Sequence, residues 1–123
     1  MHITALAAAV AGAIAIIAIG VRFLLQPRQA TLAFGIAADD LRGLTAIKGV
    51  RDITSGLVPL VVWAAAGTGP LGWALIAASL TPIGDAAIVL ANGGKRSAAL
   101  GIHGLTAALL VAAGLVLALG IAA

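Results

Sequence analysis

Arg22, Lys48, Arg51, Asp52, Asp85 and His103 are ionisable residues set in or beside stretches otherwise as apolar as lipid. A carboxylate near an imidazole can move a proton, and a guanidinium or ammonium can hold the anion that proton transfer leaves behind. These six therefore have the makings of an acid–base site. Asp85, Asp52 and His103 are the candidates for catalysis. Arg51, Lys48 and Arg22 are the candidates for binding a substrate head group. Charge at the centre of a membrane helix costs about 2.5–3.5 kcal/mol on insertion scales, so such groups snorkel, pair or do chemistry.

Spacing narrows the choice. Lys48, Arg51 and Asp52 stand at i, i+3 and i+4, so they share one side of a helix. Thr81, Asp85 and Asn92 make a polar stripe along the next apolar stretch, and His103 and Thr106 share a face on the last. Pro82 is expected to distort its helix and free the carbonyl of Ala78, and Pro59 to loosen that of Ser55. Each group also has a plainer use. Arg22 and Lys48 lie near enough to an interface to snorkel, Arg51 can pair with Asp52 or Asp85 to fix helix packing, and His103 can hydrogen-bond a neighbour. Asp85 is the hardest to set aside, because a short acid cannot reach far for water.

Several other chemistries fit poorly. His2 and His103 fall near opposite faces and cannot jointly hold a haem or metal. Asp52, Asp85 and His103 resemble a two-carboxylate, one-histidine metal set, but nearby Arg and Lys oppose a cation, so no metal is expected. Asp39-Asp40 reads as a helix cap or solvated turn. The chain has no cysteine, which removes disulfides and thiolate metal sites. There is no Gly-rich phosphate loop, no GxSxG element and no HExxH, and no cofactor is implied.

The elements that must position these residues follow from composition. The 123 residues are 63% hydrophobic and 9% charged, against about 25% charged in soluble domains. Apolar stretches cover about residues 3–25, 46–66, 70–91 and 97–122, each long enough to cross a hydrocarbon core of ~30 Å. The expected fold is all-α, a single domain over 1–123 forming a four-transmembrane-helix bundle. The first stretch is read as a retained helix, since only Met1 and His2 precede it and a signal peptide needs a positive n-region. The seven basic residues all lie in or next to the 26–45 connection and the 92–96 turn. The positive-inside rule places that side in the cytoplasm and both termini on the non-cytoplasmic side. Trp63 and Trp73 flank the uncharged outer turn at Gly67-Thr68-Gly69-Pro70, as interfacial anchors would. Pro70 suits N1 of the third helix, and Gly93-Gly94 a helix end and tight turn. Antiparallel helices then bring all six ionisable groups to the inner third of the bilayer, with Asp85 and His103 each roughly 10 Å below its boundary. The net charge of +3 comes from residues flanking apolar segments, with no basic, aromatic-studded surface, so nucleic acid is not an expected partner.

Arg22-Phe23, Phe34-Gly35-Ile36, Lys48-Gly49-Val50-Arg51-Asp52, Pro82-Ile83-Gly84-Asp85, Gly93-Gly94 and His103-Gly104 occur in that order. With them the chain resembles a domain-of-unknown-function family of small four-helix membrane proteins from bacteria and fungi. The resemblance covers nearly the whole length, and Lys-Gly-x-Arg-Asp is its most specific part. It implies a shared fold and a shared polar site at Lys48, Arg51, Asp52, Asp85 and His103, and it carries no reaction with it.

The expected function is binding or converting a small apolar or amphipathic molecule at a polar cluster near the cytoplasmic side. Isomerase, cyclase or epoxide chemistry would all suit such a cluster. An accessory or structural membrane subunit is one alternative. A small proton-coupled transporter is another, although the small multidrug exporters use a membrane glutamate and this chain has none. Expected partners are the lipid bilayer, the small ligand and, as a homodimer, a second copy. Small-xxx-small spacing such as Ser97-xxx-Gly101 supports close helix approach and says little about oligomeric state.

Overall fold

The computed structural model describes residues 17–35 and 37–121. Most of the first apolar stretch, and His2, lie outside the described residues. Residues 17–25 are helical and are labelled α1. Then follow α2 (Pro27–Phe34), α3 (Leu41–Ala66), α4 (Thr68–Ala78), α5 (Leu80–Ala91), α6 (Arg96–Ala98), a π-helical segment (Ala99–Gly104) and α7 (Leu105–Ala118). The described residues contain no strand, so the fold is all-α. Two stretches, Thr68–Ala91 and Arg96–Ala118, are helices long and apolar enough to cross a membrane.

Two compact units divide the chain, Met1–Gly49 and Val50–Ala123, and the boundary falls inside α3. In the first unit, the 26–45 connection expected as a loop contains α2. Pro27 occupies N1, where its missing N–H is no loss. Gly35 ends the helix, its N–H donating to the carbonyl of Leu32 at 3.0 Å. The buried Thr31 hydroxyl donates back to the Pro27 carbonyl at 2.7 Å and ties the two turns of this short helix. Phe34 meets Phe23 of α1 edge to face, with ring centroids 6.1 Å apart.

α3 begins at Leu41, five residues ahead of the expected start at 46. The reason is local and polar. Asp40 caps the helix, its Oδ1 accepting the N–H of Gly43 at 3.0 Å, which confirms the cap expected of the Asp39-Asp40 pair. Thr45 then bonds back to the Leu41 carbonyl at 2.8 Å. An apolar-window reading passes over such a polar first turn. α3 runs on through Pro59 without interruption.

In the second unit, the helix expected over 70–91 starts at Thr68, which puts Pro70 in the third position and not the first. Its N–H would still be among the four free donors of a helix start. The ladder is interrupted only at Ser79, three residues ahead of Pro82, where the backbone stays helical (φ −62°, ψ −20°) and the stretch runs on to Ala91, so the expected effect of that proline is local. Ser79 is buried, and its hydroxyl donates to the Ile76 carbonyl at 2.7 Å. Helix α5 ends as the two glycines foretell. Gly93 takes φ +70°, and the N–H of Gly94 donates to the Val89 carbonyl at 2.8 Å. That bond, with Gly93 to Leu90, is the paired closure that a left-handed residue after a helix permits. The same closure recurs beyond α7, where Gly120 has φ +61° and Ile121 donates to Val116.

The packing order is small residues inside, large ones outside. Gly72, Ser79, Pro82, Ala99, Ala107 and Gly114 are buried, whereas Leu80, Ile83, Leu100, Ile102, Leu105, Leu109 and Val116 are exposed. α4 packs along α7, and α5 along the π segment. At the first crossing Gly72 and Gly114 face each other so closely that a Cβ on either would strike backbone of the opposite helix. Glycine is required there by space and not by φ.

Candidate functional site

The structure brings Asp85 and His103 together. His103 Nδ1 stands 3.8 Å from Asp85 Oδ2, with 29% of the histidine side chain and 33% of the aspartate side chain exposed. Asp85 sits mid-way along α5, two turns before the cap at Asn92. The Asn92 amide donates to the Ile88 carbonyl at 2.8 Å, so this end of the expected polar stripe serves its own helix. Thr106 likewise bonds back to Ile102 at 2.7 Å.

His103 is held differently from a residue of a plain α-helix. It lies in the π turn Ala99–Gly104, where the N–H of Leu105 reaches the Leu100 carbonyl five residues back. Such turns carry one residue more than the α ladder, shift the residues after them around the axis, and recur at functional sites. In this turn buried Ala99 and the glycines Gly101 and Gly104 alternate with the exposed Leu100 and Ile102, and α5 packs directly against it. The π geometry had no marker in the sequence beyond the glycines on either side of His103.

The separation is informative. A charge-assisted N–H···O bond closes to about 2.7–2.9 Å. At 3.8 Å the two groups feel each other's charge when the imidazole is protonated, yet neither uses up the other's hydrogen-bonding capacity. The pair can therefore take a polar atom of a third group between or beside its two members, and can exchange a proton with it.

Of the other expected site residues, Arg22 and Lys48 belong to the first compact unit, and Arg51 and Asp52 to the second with Asp85 and His103. Lys48, Arg51 and Asp52 stand on one side of α3, as their spacing requires, and none of the three is free of a partner. Arg22 is near the end of α1, its carbonyl accepting the Gln26 N–H at 2.8 Å, and its side chain lines a small cavity of about 180 Å³ with Phe23 and Phe34. Among the described residues no three His, Asp or Glu side chains gather as a metal would need. Sequence reasoning missed a larger cavity in the first unit, about 660 Å³, walled by Phe23, Arg28, Leu32, Asp39 and Leu44 among others. Its signal is the amphipathic run from Pro27 to Phe34, which the reading of 26–45 as a loop passed over.

The family of domains of unknown function DUF4267 matches residues 13–117, nearly the whole chain. The chain belongs to that family. Asp85, His103, Arg51, Asp52 and both cavities' walls all fall inside the matched span. A search of curated proteins and one of solved structures each find no match.

Proposed function

We propose that this chain is a multi-pass protein of the cell membrane that binds or converts a small apolar or amphipathic molecule at Asp85 and His103. In this reading it is a four-helix bundle with both termini on the non-cytoplasmic side. The membrane part is supported by the distribution of side-chain size. A soluble bundle buries its Leu and Ile, whereas here Ala, Gly, Ser and Pro are inside and Leu, Ile and Val face out. That arrangement suits helices packed on each other in lipid, where close backbone approach supplies the contact and lipid covers the large side chains. The side assignment is supported by the seven basic residues, which fall within residues 22–51 and at 95–96, with none near the turn at Gly67-Thr68-Gly69-Pro70.

The observation that carries the site is the 3.8 Å approach of His103 to Asp85 on two otherwise apolar helices. Asp85 acts as the acid and His103 as its proton partner, with the apolar helix faces taking the hydrocarbon part of the molecule. Native mass spectrometry of the gently extracted protein tests this. The wild type retains a bound lipid or small molecule, and Asp85→Asn loses it while staying in carbonate-washed membranes. Equal retention by wild type and Asp85→Asn would remove Asp85 from the site.

A further inference from the structure

The larger cavity of the first unit lies well apart in sequence from Asp85 and His103, and its walls have a definite chemistry. Phe23, Leu32 and Leu44 give it an apolar lining, and Arg28 and Asp39 add one cation and one anion. Both charged side chains are exposed. Its volume of about 660 Å³ falls in the range of small-molecule sites, roughly 300–1,000 Å³.

The position in the chain adds a second constraint. The cavity is formed where the first apolar stretch gives way to α2, directly after Leu25 and Gln26, and α2 is turned back on α1 by the Phe23–Phe34 contact. On the membrane reading proposed above, on which this inference rests, that is head-group level on the cytoplasmic side. A cavity there meets lipid molecules in large excess over any other solute.

Charge complementarity then selects among lipids. An anionic head group finds Arg28 but also meets Asp39, whose carboxylate repels it. A purely cationic amphiphile has the converse difficulty. A head group with a phosphate and an ammonium satisfies both walls, with Arg28 donating to the phosphate and Asp39 accepting from the ammonium. We infer that this cavity is a binding site for a zwitterionic glycerophospholipid of the phosphoethanolamine type, its acyl chain lying along Phe23, Leu32 and Leu44.

The test is lipid exchange on the full chain in detergent, read by native mass spectrometry. The probes are phosphatidylethanolamine and phosphatidylglycerol of identical acyl chains, which share the phosphate and differ in the ammonium. The wild type retains phosphatidylethanolamine in preference. Asp39→Asn removes that preference, bringing the ratio of the two retained lipids close to one. Arg28→Ala weakens retention of both by about tenfold, the scale of one lost hydrogen bond to a charged group, and Arg28→Lys restores part of it. Arg42→Ala, a cation of the same unit outside the cavity wall, leaves retention unchanged. The inference is overturned if Asp39→Asn keeps the wild-type ratio, or if Arg42→Ala matches Arg28→Ala, which would mean bulk attraction to lipid. Failure of the membrane reading has a separate signature, loss of the wild-type protein itself from carbonate-washed membranes.

Discussion

Gly114→Ala is the sharpest probe of the second unit, because it adds one methyl group directly against the backbone of the opposite helix. A Cβ at Gly114 would stand 2.9 Å from the Gly72 carbonyl oxygen, 3.2 Å from the Ile76 nitrogen and 2.7 Å from Ile76 Cγ1. The Ile76 side chain can rotate away, but the other two atoms are backbone of α4. Carbon atoms sit comfortably at about 3.5–4.0 Å, so α4 and α7 must part by roughly half an ångström or more. Overpacking of this kind costs about 1–3 kcal/mol. Two of the three opposing atoms are backbone, which places the cost in the upper part of that range, at about 2–3 kcal/mol. Alanine regains about 1 kcal/mol of helix propensity over glycine, which leaves a net loss of about 1–2 kcal/mol. Gly84→Ala supplies the control, being in the interior of α5 with nothing within 4 Å of an added Cβ. It should hold or gain stability by up to about 1 kcal/mol. Thermal unfolding of the purified protein in detergent reads both, with Trp73 beside Gly72 as the fluorescent reporter. The expected order of melting temperatures is Gly84→Ala at or above wild type, and Gly114→Ala about 5 °C or more below it. A Gly114→Ala protein as stable as wild type would refute the close crossing of α4 and α7. So would a Gly84→Ala protein that falls as far.

Other substitutions test the remaining features. Asp40→Ala removes the cap of α3 and should cost about 1 kcal/mol, with Asp40→Asn retaining most of it, measured by the same melts. Phe34→Ala breaks the edge-to-face contact with Phe23 and should cost about 0.5–1.5 kcal/mol beyond the area lost. It should also raise hydrogen–deuterium exchange in α2, and unchanged exchange there would count against the folded-back α2. Gly94→Ala places a Cβ 2.8 Å from the Val89 carbonyl and should loosen the turn between α5 and α6, lowering the melting temperature by several degrees.

The all-α character was open to reading because hydropathy along this chain is nearly binary. Long runs rich in Ala and Leu, uninterrupted by clusters of turn residues, favour helices, and Thr68–Ala91 and Arg96–Ala118 emerge close to the limits expected for them. Punctuation was legible for a similar reason: Gly93 and Pro82 act through local sterics that need no knowledge of the fold. What escaped were features decided by contacts between residues far apart or by polar bonds outside the apolar windows. α2 depends on Pro27, Thr31 and a ring contact with Phe23, and the early start of α3 depends on Asp40. For the π turn around His103, nothing in the hydrophobic pattern distinguishes it from the α-helix on either side. From the sequence, Asp85 and His103 share a depth and are candidates for an acid and its proton partner, with Asp52 an equal candidate for the acid. Their 3.8 Å approach arises from which faces of α5 and the π segment meet, a property of packing that spacing along either helix leaves open.

That approach also separates a working pair from a structural one. If the two side chains existed to hold α5 against the π segment, they would close to a direct bond, and removing either would cost stability that removing both would not double. In a double-mutant cycle of Asp85→Asn and His103→Gln, a direct bond between charged groups would appear as a coupling of about 1.5–3 kcal/mol. At 3.8 Å no direct hydrogen bond joins the two side chains, so the expected coupling in the empty protein falls well below that of a closed bond. Ligand retention should respond in the opposite sense, each single substitution losing nearly as much as the double, because both groups act on the same bound molecule. Small coupling in stability with strong non-additivity in binding is the signature of a dyad kept for a third partner. Large stability coupling with additive, minor effects on binding would return Asp85 and His103 to the role of a packing pair.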